Sequence, residues 1–262
     1  MMQEIDLGTW EIVILILCGF GAGIINTVAG NGSALTLSAL IFLGLPPTLA
    51  NGTNRVGAFL QTITSVVSLR RTKRTRLLYT EAKWVFIPSI IGSIVGAFLA
   101  VDIDEILLKR IIGILMVLLL ASFLLDPKRW NISTDPNRAK KSKLGYLLFF
   151  FVGVYTGFIQ MGVGILMLSL LVLISRYSIK DANIIKLILG LILATAPFFV
   201  FAFSSTIDWK AGITVAIGQV AGAWIGARYV LYHPKAFVWT KRVLVVALVF
   251  SILEMFDLIS LT

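Results

Sequence analysis

"INTVAGNGSALTLSAL", residues 25–40, sets Asn26, Thr27, Asn31, Ser33 and the pair Gly30 and Gly32 between two apolar runs. Taken alone, the stretch reads as a loop at a membrane surface. Its surroundings and a counterpart later in the chain turn it into a break inside the membrane.

The surroundings are far from soluble in character. Of the 262 residues, 58% are hydrophobic and 14% are charged, against roughly half and a quarter in a soluble domain. Ten apolar segments follow one another, at about 11–30, 33–45, 54–70, 83–101, 106–125, 144–161, 163–176, 184–203, 211–231 and 242–260. Such a chain is an all-α, polytopic membrane protein. The acidic start "MMQEIDLGTWE" lacks the basic region of a signal peptide, so the first segment is expected to stay in the mature protein.

The residue inventory excludes several functions. With Cys18 the single cysteine and His233 the single histidine, no disulfide, zinc cluster or haem ligand set can be assembled, and neither metal nor cofactor is expected. The formal net charge of +10 lies between apolar spans, which suits cytoplasmic loops and anionic lipid head groups rather than nucleic acid.

Charge also sets orientation. "RRTKRTR" (70–76), the central stretch 126–143 and Lys235, Lys241 and Arg242 carry the basic clusters, so these loops are expected in the cytoplasm. Both termini are then expected to face out in a multi-pass protein. The number of crossings is eight to ten, because 33–45 is short enough to re-enter rather than cross.

The polar stretch 126–143 divides the chain into an N-terminal membrane repeat, 1–125, and a C-terminal one, 144–262. Laid on one another, the halves share their glycines. Gly19-x3-Gly23 followed by Gly30-x-Gly32 answers to Gly153-x3-Gly157 followed by Gly162-x-Gly164, and Ala50-Asn51 to Ala182-Asn183. Trp84 with Gly92-x3-Gly96 answers to Trp209 with Gly218-x3-Gly222. Halves with five segments each, joined on one side of the membrane, run in opposite senses, which is the inverted-repeat plan of many secondary transporters.

With "GFGAGIINTVAGNGSAL", "PPTLANGTN", "GVYTGFIQMGVGIL" and "DWKAGITVAIGQVAGAWIGA" in this order, nearly the whole chain resembles the TauE/SafE family of sulfite exporters. That resemblance implies movement of sulfite or organosulfonates across a bacterial membrane. Asn31, Ser33, Met161 and Val163 stand at places where the family is often richer in glycine.

The glycines divide into two kinds. Those at Gly92, Gly96, Gly218, Gly222 and Gly226 have the small-x3-small spacing of helix contacts. Gly30-x-Gly32 and Gly162-x-Gly164 each precede an apolar segment of about 13 residues, where about 20 would span. A helix starting there exposes free N–H groups to an anion, and short or broken segments at matching positions point to a transporter site near the midplane. Thr27, Asn31 and Ser33 add donors, Asn51, Asn54, Gln160 and Asn183 add amides, and Gln219 is a weaker candidate. Arg55 and Lys186 are positive charges that either meet the substrate or snorkel to the interface. No acidic residue lies at the centre of an apolar segment; Glu254 and Asp257 lie toward the outer end of the last. An anion needs no such relay to be driven outward by an interior-negative potential.

The expected function is therefore transport, not catalysis: export of a small sulfur-containing anion held between the repeats. An anion channel is the competing reading. An integral membrane enzyme acting on a lipid phosphate ranks lower, since it would need clustered His, Asp or Glu. The expected partners are the anionic substrate and membrane lipids, with self-association left open.

Overall fold

A computed structural model describes residues 7–28, 30–69, 73–125, 143–175, 177–230 and isolated positions between 233 and 249. Among the described residues the chain is helical and contains no strand. The linker proper, 126–142, lies outside them, as do most of segment 242–260 and with it Glu254 and Asp257.

Nine of the ten expected segments fall within the described residues. They form α1 (Thr9–Val28), α2 (Ser33–Phe42), α3 (Pro47–Ser68), α5 (Phe86–Val101), α6 (Glu105–Leu125), α7 (Lys143–Phe158), α8 (Val163–Ser169), α9 (Ile179–Phe203) and α10 (Trp209–Arg228), and a further helix, α4 (Lys73–Ala82), lies between the third and fourth of them. A single 3-10 turn, Lys83–Val85, joins α4 to α5, and a π turn, Leu170–Ile174, extends α8.

Three starts come earlier than hydropathy alone suggests. Helix α3 begins at Pro47 rather than near 54, because a proline at the first helical position has no N–H to lose and its φ is already helical. "KRTRLLYTEA" is helix α4 rather than loop, and α9 begins at Ile179, where the Ser178 hydroxyl accepts the Asp181 N–H. Polar residues stand early in each, Asn51 to Arg55 in the second turn of α3 and charged residues in the first turns of α4 and α9, so a hydropathy window passes over these starts.

With ten residues, α2 is roughly 15 Å long, half of a bilayer core. It folds back on α1, where Asn26 exchanges two bonds with Ser33: its Oδ1 accepts the Ser33 N–H and its Nδ2 donates to Ser33 Oγ, both at 3.3 Å.

The glycine pairs set the helix contacts, and they do so across the two halves. Gly19 and Gly23 of α1 lie directly on the backbone of α10 near Val215 and Gln219, while Gly218 and Gly222 of α10 lie on α1 near Ile16 and Phe20. In the same manner Gly153 and Gly157 of α7 lie on α5, and Gly92 and Gly96 of α5 lie on α7. A side chain at any of these positions would meet backbone. The order of these contacts makes α1 parallel to α10 and α5 parallel to α7. By contrast α9 runs antiparallel to α3, with Phe198 stacked on Phe59 at 4.7 Å and Gly190 beside Thr62.

The apolar cores follow the same exchange. One core joins Leu15, Leu37, Leu40 and Ile112 to Ala211 and Val215 of α10. A second joins Phe149, Met167, Leu171 and Leu189 to Leu78, Ala82 and Val85 of the first half, and a third joins Val56, Ala97 and Ala100 to Phe201, Ile207 and Ala216.

Candidate functional site

The two breaks meet. The Gly164 N–H donates to the Gly30 carbonyl at 2.9 Å, and a Cβ on either glycine would fall on the backbone of the other. Both turns use left-handed backbone, with φ of 83° at Gly30 and 73° at Gly162, a region that glycine reaches without the usual steric cost. Asn31, fully buried, ties the turns together: with its amide nitrogen toward them, it donates to Gly30 O at 3.0 Å and Gly162 O at 3.2 Å. The Tyr155 hydroxyl donates to Met161 O at 2.7 Å and pins the second turn to α7.

A broken helix leaves its last carbonyls unpaired inside the membrane, where each orphan is costly. Here each half supplies the cover for the other. Arg55 of α3 donates to Thr156 O at 2.6 Å and Gly157 O at 2.8 Å, and Asn51 donates to Phe158 O at 2.9 Å, so the last turn of α7 is filled. Lys186 of α9 donates to Asn26 O at 3.3 Å and Thr27 O at 3.1 Å in the last turn of α1. Both cations thus stand at the negative end of a helix dipole. They are 1% and 3% exposed, so neither snorkels. Arg55 also lies over the Phe201 ring, 5.0 Å from its centroid.

Where these elements converge there is a cavity of about 50 Å³. Of the residues singled out in the sequence, Gly30, Ser33, Gln160, Gly164 and Lys186 line it. Asn26, Gln61, Thr62, Thr156 and Gly190 line it as well. Among the lining residues Lys186 carries the one charge, and no carboxylate is present. Gln61 Oε1 and Gln160 Oε1 are buried without a hydrogen-bond partner, so both amides hold unused bonding capacity.

The remaining sequence candidates lie outside the cavity. The Thr27 hydroxyl bonds Gly23 O at 2.8 Å and meets Ser65 Oγ at 3.1 Å. Asn54 Oδ1 accepts the Thr36 hydroxyl at 2.6 Å, and Gln219 Nε2 donates to Thr36 Oγ1 at 3.2 Å, which links α10, α2 and α3 through one buried chain. Gly32 is packed on the backbone of α1 at Ala22 rather than open to a ligand. Asn51, Arg55 and Gly162 have the roles given above, and Asn183 Oδ1 is buried without a partner.

Asn26 and Gln61 were missed as lining residues. Asn26 belongs to the break stretch, but on α1 it sits four residues before the first glycine. Gln61 lies in α3 between Leu60 and Thr62, outside the break stretches, where a lone amide reads as helix packing.

Broken helices joined in the interior, with cations on their ends and a small polar cavity beside them, define an all-helical protein of the membrane. The chain belongs to the TauE/SafE family: the family model for "Sulfite exporter TauE/SafE" matches residues 15–255. It is 29% identical to a probable membrane transporter protein of Haemophilus influenzae over 89% of this chain and 90% of that one. It is 25% identical to the probable membrane transporter protein YfcA of Escherichia coli over 98% and 92% of the two chains, and 26% identical to YjnA of Bacillus subtilis over 82% and 89%. No solved structure gives a significant match. The protein is thus a membrane transporter of this family.

Proposed function

We propose that the protein exports a small sulfur-containing oxyanion, sulfite or an organosulfonate, and that the anion binds in the cavity between the two breaks. The observation that carries the site is Lys186: it is buried, it lines the cavity, and no acid opposes it there. An ammonium has three donors. Asn26 O and Thr27 O take two, leaving one for an anion oxygen. Gln61 and Gln160 also line the cavity, and it is their amide NH2 groups, not the unpartnered Oε1 atoms, that would supply further donors without further charge. A pyramidal or tetrahedral oxyanion, with several acceptors and no need of a metal, suits such a set.

The family description supports the sulfur anion, and the potential supplies the outward drive, about 2.3 kcal/mol per charge for each 100 mV. In this reading the halves are inverted repeats in the inner membrane with both termini outside. The antiparallel course of α9 along α3 and the reciprocal pairs α1 with α10 and α5 with α7 support it.

The test is efflux from reconstituted vesicles. Lys186→Gln and Gln160→Leu are each expected to lower kcat/KM for sulfite tenfold or more in folded protein. Wild-type rates in both variants would remove the site. Absence of flux for any sulfur oxyanion in the unaltered protein would remove the substrate. Saturable counterflow is expected, and unsaturated conductive flux would make the protein a channel instead.

A further inference from the structure

A second, larger cavity of about 690 Å³ lies between α3, α4 and α9. Val66, Leu69, Leu77 and Ile188 give it an apolar wall, and Lys73, Arg76, Thr75, Tyr79 and Thr80 of α4 lie on it as well. We propose that it binds one anionic phospholipid, its phosphate on Lys73 and Arg76 and its acyl chains along the four apolar side chains.

The charge belongs to this cavity and is not spent elsewhere on α4. Arg74, between the two cavity cations in sequence, is the residue that pairs with Asp181 of α9, its Nε donating to Asp181 Oδ1 at 3.2 Å. That pair fixes α4 against α9, while Lys73 and Arg76, both exposed, are turned to the cavity. Basic side chains at the rim of a helix bundle attract anionic head groups, each worth about 1 kcal/mol near a charged surface.

Apolar walls select a lipid over a free anion. A hydrated phosphate or sulfonate gains nothing from Val66, Leu69 or Ile188, whereas acyl chains replace surface otherwise left unfilled. Leu77 on the cavity wall is 48% exposed and Val67, next to the lining Val66, is 64% exposed, so in a membrane the cavity opens toward the hydrocarbon. Its volume also far exceeds that of a head group alone. The proposal is independent of which anion is transported.

The test uses the full-length protein in a neutral detergent and reads thermal stability against added phosphatidylglycerol, phosphatidylcholine or glycerol phosphate at equal concentration. Phosphatidylglycerol is expected to raise the melting temperature by several degrees, and the other two to leave it near its starting value. The double variant Lys73→Gln with Arg76→Gln is expected to lose at least half of that shift, and Leu77→Glu, at an exposed position, to lose it through a carboxylate placed in the cavity. Arg110→Gln, an exposed cation on α6, is expected to keep it. Equal shifts with phosphatidylcholine, a shift reproduced by glycerol phosphate alone, or a full shift in both cavity variants would each overturn the proposal.

Discussion

The N–H of Gly164 donates to the carbonyl of Gly30 at 2.9 Å, so residues 134 positions apart in sequence join the two breaks backbone to backbone. No side chain fits between them. Gly164→Ala is expected to cost about 2–3 kcal/mol, the upper range for overpacking, because the new methyl would fall on Gly30 rather than on a movable side chain. Gly190→Ala, across the cavity, is the control: its methyl would meet Thr62 Cγ2 at an ordinary 3.7 Å. Thermal melting of the two variants should differ by several degrees.

Asn31→Asp keeps shape and removes both donors. The carbonyls of Gly30 and Gly162 would then face a carboxylate in a buried site. A loss of about 2–4 kcal/mol is expected, since two bonds are lost and acceptors are set against an acceptor. Denaturant unfolding in detergent would measure it, and near-wild-type stability would show that the amide does not bridge the turns.

Two glycines on α1 separate packing from mere smallness. A methyl at Gly23 would fall on the α10 backbone at Gln219, whereas one at Gly21 would touch only the Leu35 side chain at 3.4 Å. Gly23→Ala is therefore expected to destabilise by about 2 kcal/mol or more, and Gly21→Ala by less than about 0.5 kcal/mol, since only a flexible side chain has to yield. Equal effects would mean that α1 and α10 are not in contact.

Arg55→Met would leave Thr156 O and Gly157 O without donors. A buried carbonyl left without its donor costs about 1–3 kcal/mol, offset in part because the guanidinium no longer has to be desolvated, and a lower yield of folded protein is the expected sign. Arg55→Lys should fall between the two, because an ammonium cannot reproduce the planar fork.

The Arg74–Asp181 pair is worth far less. Arg74 is 40% exposed at its side chain, and pairs of this kind contribute about 0.2–1 kcal/mol. A double-mutant cycle with Arg74→Ala and Asp181→Asn is expected to give a coupling in that range that shrinks with added salt.

The helices and breaks were legible in the sequence because apolar length and glycine spacing are local signals. Gly30, Gly32, Gly162 and Gly164 stood out for that reason, and so did Arg55 and Lys186 as charges in apolar company. What those charges touch was not legible. Lys186 and Asn26 are 160 positions apart, and no local pattern encodes their meeting. The same holds for the glycine pairs: the spacing on α1 marks a packing face, but nothing in residues 9–28 points to α10 as its partner. Helix α4 escaped hydropathy because seven of its ten residues are charged or hydroxyl-bearing, and its hold on the bundle comes from the buried Leu78 and Ala82.

Arg55 and Lys186 each close a helix that belongs to the opposite half. A fragment ending at residue 125 would carry α1 with its last carbonyls bare, and a fragment starting at 143 would carry α7 in the same condition. Expressed singly, each piece is an incomplete object that needs a complement. Expressed together from separate messages, the two should find one another without the covalent link.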